Sequence, residues 1–113
     1  MIKKSMYCYC LNKSMDSLKF VRFKNIGDFK IKCIVQYTLD SSTFTKIVIL
    51  TKNRIRKIDL PVDAIDICLN ILNLSNPDPI TSVLYHECIS GEENVCFAVS
   101  NTTENPVITR TIC

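Results

Sequence analysis

The chain has 113 residues, with 14 Lys and Arg against 11 Asp and Glu, a net charge of +3. That length fits one domain, and 47% apolar residues supply one modest core, which excludes a disordered tail. With only 2 Gly, a Gly-rich phosphate loop has almost no material, and no apolar run approaches the roughly 18 residues of a transmembrane helix.

The N-terminus, Met1-Ile2-Lys3-Lys4, imitates the basic start of a signal peptide. The apolar stretch that follows, Met6 to Leu11, is too short and carries Cys8 and Cys10, so no clear export signal is expected. Residues 1–17 show no firm pattern and are expected to form an N-terminal arm or edge strand. A single domain is expected over 18–113. Leu18 to Lys24 has strand composition, and Asn25-Ile26-Gly27-Asp28 reads as a turn. From Phe29 to Leu39, Phe29, Ile31, Cys33, Val35, Tyr37 and Leu39 share one face. Lys30, Lys32, Gln36 and Thr38 share the other, with Ile34 the exception.

Thr43 to Thr51 follows Asp40-Ser41-Ser42, and Ile55 to Leu60 follows Lys52-Asn53. Asp63 is a possible helix cap after Pro61, but Ile65, Ile67, Leu69 and Ile71 fit period two better than 3.6, which predicts a strand. Val83 to Ile89, Val95 to Val99 and Val107 to Ile112 complete the set, separated by turn-forming segments. About eight strands at this spacing predict an all-β fold, an antiparallel β-sandwich, with a small β-barrel as the alternative.

If the first two strands form a hairpin, a three-residue loop centred on Gly27 pairs Phe23 with Ile31 and keeps the apolar residues together. Arg22, Lys24, Lys30 and Lys32 then gather on one outer patch. Like charges facing each other destabilise a sheet by a few tenths of a kcal/mol per pair, so the patch calls for an anionic partner or simple solvation. Lys52, Arg54 and Arg56 form a second basic group, followed by Lys57, with charge protection of an edge strand as the competing explanation. The aromatics show no stacking pattern near either group, which argues against nucleic acid.

The 7 cysteines are an odd number, so at least one is free or pairs between chains. Cys88 and Cys96 would face each other across a hairpin centred on Glu92, and Cys96 with Cys113 is the rival pairing. Cys33 reads as a small buried hydrophobe, and Cys68, on a polar face, as a bridge partner or an exposed thiol. Sequons at Asn12, Asn73 and Asn101 add modest support for an oxidising compartment.

The only histidine is His86. With Cys88, Cys8 and Cys10 it could complete a zinc site, but the spacing matches no common module. No nucleophile elbow, zincin, P-loop or dinucleotide fingerprint occurs, and no catalytic residues, metal or cofactor are expected. Strand count and spacing resemble immunoglobulin-type and other small β-sandwich modules. Trp is absent, and Tyr85-His86-Glu87-Cys88 is one residue longer than the Tyr-x-Cys of immunoglobulin domains, so the resemblance implies architecture alone.

The resulting expectation is a non-enzymatic binding module, secreted or surface-exposed and effector- or toxin-like. Its basic face would engage a membrane surface, glycan or acidic protein. The alternative is an intracellular or viral structural subunit, homo-oligomeric and with reduced cysteines.

Overall fold

The computed structural model describes residues 19–75, 82–89 and 94–113. The expected arm over 1–17, with Cys8, Cys10 and Asn12, lies outside the described residues. Eight strands follow one another: β1 (Lys19–Asn25), β2 (Ile31–Leu39), β3 (Ser42–Leu50), β4 (Arg54–Leu60), β5 (Ile65–Asn73), β6 (Val83–Ile89), β7 (Val95–Thr102) and β8 (Asn105–Thr111). They form two four-stranded sheets, β4-β1-β7-β8 and β3-β2-β5-β6, packed as an open sandwich rather than a closed barrel. All neighbouring pairs are antiparallel except β1 with β7.

Alternation accounts for the core. Val21 and Phe23 of β1, Ile31, Cys33 and Val35 of β2, Ile67, Leu69 and Ile71 of β5, and Val95, Phe97 and Val99 of β7 are all buried. Between them lie residues that face outward. Phe97 stacks on Phe23 at 6.0 Å within one sheet and meets Tyr85 of the other at 5.6 Å. Polar side chains join the sheets at their edges. Lys46 Nζ of β3 donates to the Asp59 carbonyl of β4 at 2.7 Å, and Arg110 of β8 pairs with Glu87 of β6 at 3.2 Å.

The expected hairpin between β1 and β2 does not form. β1 lies between β4 and β7, while β2 lies between β3 and β5 in the other sheet. The inward phase of both strands is as predicted, but Phe23 and Ile31 face one core from opposite sheets instead of sitting side by side. Residues 26–30 are therefore an inter-sheet corner. Ile26 N donates to Val99 O at 2.8 Å and Asp28 N to Asn101 O at 3.0 Å, which binds the corner to β7.

Asn25 fills that corner and is fully buried. Its Nδ2 donates to Phe29 O at 2.7 Å and to Leu50 O at 3.1 Å, and its Oδ1 accepts from Gly27 N at 2.9 Å. One side chain thus satisfies backbone groups of the corner and of β3 that solvent cannot reach. Gly27 is required for space: a Cβ there would lie 2.9 Å from Phe29 Cε1 and 3.1 Å from Asn101 O.

Candidate binding surface

The corner redistributes the predicted basic patch. Arg22 and Lys24 stay together on the outer face of the β4-β1-β7-β8 sheet. Lys30 is exposed in the corner, and Lys32 lies on the outer face of the other sheet, between Ile49 of β3 and Leu72 of β5. Arg22 and Lys24 have a different set of neighbours, because β4 brings the second basic group beside them. Arg22 faces Lys57, Lys24 faces Ile55, and Phe20 faces Asp59 across the β1/β4 pair.

Arg54 and Arg56 occupy the other phase of β4, opposite Asn25 and Phe23, and both are exposed. Burial on this strand begins only at Ile58 and Leu60, so the first half of β4 projects its arginines past the core. β4 is an edge strand, and these charges also discourage pairing with another chain. Lys52 stands at the turn before β4 and forms an exposed ion pair with Asp28 at 2.6 Å. Such a pair contributes about 0–1 kcal/mol, yet it locally offsets the lysine's charge.

Few acids counter this flank. Asp59 is the one carboxylate within β1 and β4, and it lies 4.0 Å from Lys57, with both side chains exposed. Lys57 Nζ also sits 4.9 Å from the Phe20 ring centroid. Among the described residues, Arg22, Lys24, Arg54 and Arg56 make no ion pair, and the buried Arg22 Nε has no hydrogen-bond partner. Arg22 opposite Lys57 is a like-charge cross-strand pair, whose repulsion a bound anion would relieve.

The outer face of the other sheet is of a different kind. Ile47 and Ile49 of β3 and Val83 of β6 are about half exposed, with Ile34 and Leu72 between them. Sequence reasoning missed this face, although two features could have found it: Ile34, the exception in its strand's alternation, and the uninterrupted apolar run from Ile47 to Leu50. Beyond the apolar rows the face carries Asn70, His86 and a disulfide.

The cysteines resolve into two bridges and a free thiol among the described residues. Cys96 pairs with Cys113, one of the two expected pairings. Cys88 pairs with Cys68, its direct neighbour across β5 and β6, and not with Cys96, which belongs to the opposite sheet. The hairpin that would have placed Cys88 opposite Cys96 does not form, because β6 and β7 lie in separate sheets. Bonded to Cys68, Cys88 cannot serve as a zinc thiolate. Cys33 is free and buried, and burial pushes its thiol up to about 12. Of the sequons, Asn101 is exposed at the β7–β8 turn, but Asn73 is buried with its Oδ1 accepting from Ser75 N at 2.8 Å.

No protein-family model matches the chain, and no curated protein sequence is detectably similar to it. Solved structures share its fold. The cytotoxin suilysin from Streptococcus suis aligns at TM-score 0.65 and 13% identity, over 85% of this chain and 23% of its own. A non-hemolytic pneumolysin from Streptococcus pneumoniae aligns at TM-score 0.63 and 9% identity, over 85% and 24%. The human-specific toxin intermedilysin aligns at 0.62 and 9%, over 85% and 23%. The chain spans about a quarter of the length of these proteins, and at such identities the likeness is one of fold.

Proposed function

We propose that this chain is a non-enzymatic, toxin-like binding module that works outside the reducing cytoplasm and docks on an anionic membrane surface. The β1/β4 flank makes the contact. The observation that carries this reading is Arg22, Lys24 and Lys57 together on the outer face of two adjacent strands, with Arg54 and Arg56 exposed on the other side of the β4 edge and Asp59 as the one carboxylate of both strands. Each basic side chain near an anionic lipid surface contributes about 1 kcal/mol, so the set suffices for reversible, salt-sensitive attachment. Toxins among the fold neighbours and disulfides in the chain support the reading.

The test is co-sedimentation with vesicles of phosphatidylcholine, with and without phosphatidylserine. Binding should require the anionic lipid. It should fall steeply as salt rises from about 0.01 M to about 1 M, which shortens the Debye length from about 30 Å to about 3 Å. Salt-insensitive binding, or equal binding to neutral vesicles, would refute the proposal. Alkylation without reductant separates it from the intracellular alternative. Cys68, Cys88, Cys96 and Cys113 should remain unmodified in the protein as isolated.

A further inference from the structure

The outer face of the β3-β2-β5-β6 sheet holds a cluster that the proposed membrane contact does not use. β5 and β6 align Asn70 with His86 and, one row further, Cys68 with Cys88. Asn70 Oδ1 lies 2.7 Å from His86 Nδ1. An amide oxygen only accepts, so Nδ1 carries the proton. In the neutral ring this leaves Nε2 unprotonated, and Nε2 lies 3.9 Å from the sulfur of Cys88. His86 and Cys88 are exposed. The disulfide is thus open to solvent on one side and fitted on the other with an imidazole of fixed tautomer.

We infer that Cys68–Cys88 is a thiol–disulfide exchange site for a small monothiol, with His86 stabilising Cys88 as the leaving sulfur and Asn70 positioning His86. The incoming thiolate attacks Cys68 Sγ. The Cys68–Cys88 bond breaks, its electron pair leaves on Cys88, and a mixed disulfide forms at Cys68. His86 Nε2, unprotonated in the neutral ring, takes the proton that the first monothiol gives up on becoming the attacking thiolate, and passes it to the departing Cys88 sulfur, 3.9 Å away. A second monothiol, as thiolate, attacks the small-molecule sulfur of the mixed disulfide and releases Cys68. The net change is the reduction of one protein disulfide by two monothiols, which leave as their own disulfide. A leaving thiol of lower pKa departs faster, and a neighbouring imidazolium lowers a thiol's pKa.

The surroundings leave this role to His86. β6 is an edge strand whose one pairing strand among the described residues is β5. Glu87 is engaged with Tyr85 and Arg110. Asp66, two residues before Cys68, is exposed and forms no ion pair among the described residues. Cys96–Cys113 has no histidine near it, since His86 lies in the opposite sheet, and Cys96 is fully buried. It provides an internal reference in the same molecule.

The experiment exposes the full chain at neutral pH to reduced glutathione, quenches samples over time by alkylation and maps the modified cysteines by mass spectrometry. Cys68 and Cys88 should be labelled first. His86→Gln should slow their labelling by about tenfold while leaving the rate at Cys96 and Cys113 unchanged. Asn70→Ala, which frees the ring, should slow it by a smaller factor. Equal rates in wild type and His86→Gln would overturn the assignment. So would opening of Cys96–Cys113 ahead of, or together with, Cys68–Cys88.

Discussion

Replacing Asn25 should unfasten the corner between the sheets, and the cost follows from its contacts. Asn25→Ala strands the Gly27 N–H and the Phe29 and Leu50 carbonyls, all at buried residues. Each buried group left without its partner costs about 1–3 kcal/mol, so even the low end gives about 3 kcal/mol. In urea, with a slope of about 1.5 kcal/mol per molar, the unfolding midpoint should fall by roughly 2 M. Asn25→Asp is the sharper test. It keeps the shape and an acceptor for Gly27 N–H, but turns a carboxylate oxygen toward the two carbonyls where an amide donated. Burial and those carbonyls disfavour the charged form, so the folded-state pKa of this aspartate rises. A group with a raised pKa contributes most below its unfolded value and loses that contribution as pH rises. Relative to wild type, Asn25→Asp should therefore be less unstable near pH 4 than near pH 7, since the protonated acid restores one donor. Circular dichroism across a urea series at both pH values measures this. A loss below about 1 kcal/mol for Asn25→Ala, or a pH-independent difference for Asn25→Asp, would refute the corner's dependence on this side chain.

Lys24→Gln with Lys57→Gln removes two exposed cations from the β1/β4 flank. It should weaken binding to phosphatidylserine vesicles by about thirtyfold, from about 1 kcal/mol per charge, with an unchanged urea midpoint. Cys113→Ser opens the bridge to Cys96, across a sequence separation of 17, and should cost about 3 kcal/mol in urea unfolding under non-reducing conditions. Cys33, pushed up to about 12 by burial, favours the folded state below the ordinary thiol value of 9.0 and loses that contribution as pH rises toward 12. The stability difference between wild type and Cys33→Ala should therefore shrink over that range. A constant difference in rapid unfolding measurements would contradict it.

Alternation along each strand made the fold class legible. The inward residues of β2, β5 and β7 stand at the predicted phase because side-chain period two depends only on local backbone geometry, except Ile65, which is exposed at the start of β5 where Asp66 takes a positive φ and the register with β2 shifts. Pairing was not legible in the same way. A strand with one apolar face packs equally well beside its sequence neighbour or across a sandwich from it. Nothing in Val21, Phe23, Ile31 or Cys33 separates the two arrangements. The same ambiguity hid the Cys68–Cys88 bridge, which depends on β5 and β6 being neighbours across a connection that includes Ser75-Asn76-Pro77-Asp78-Pro79. Cys33 was legible because its burial follows from phase alone.

The charges held information about pairing that the apolar pattern lacked. The hairpin register set Lys24 against Lys30 and Arg22 against Lys32, a repulsion that reads either as a binding patch or as evidence against the hairpin. The sandwich removes both contacts by carrying Lys32 to the opposite outer face and leaving Lys30 in the corner. It then accepts another such contact, Arg22 opposite Lys57, at the edge of the other sheet. There the cost has a structural counterpart, because an edge strand guarded by cations resists pairing with further chains. Edge protection alone needs charge on β4 and does not need Arg22 and Lys24 on the interior strand β1. The placement of those two beside Lys57 is what the proposed anion-binding flank adds to a guarded edge, and it is why the vesicle experiment turns on Lys24 as well as Lys57.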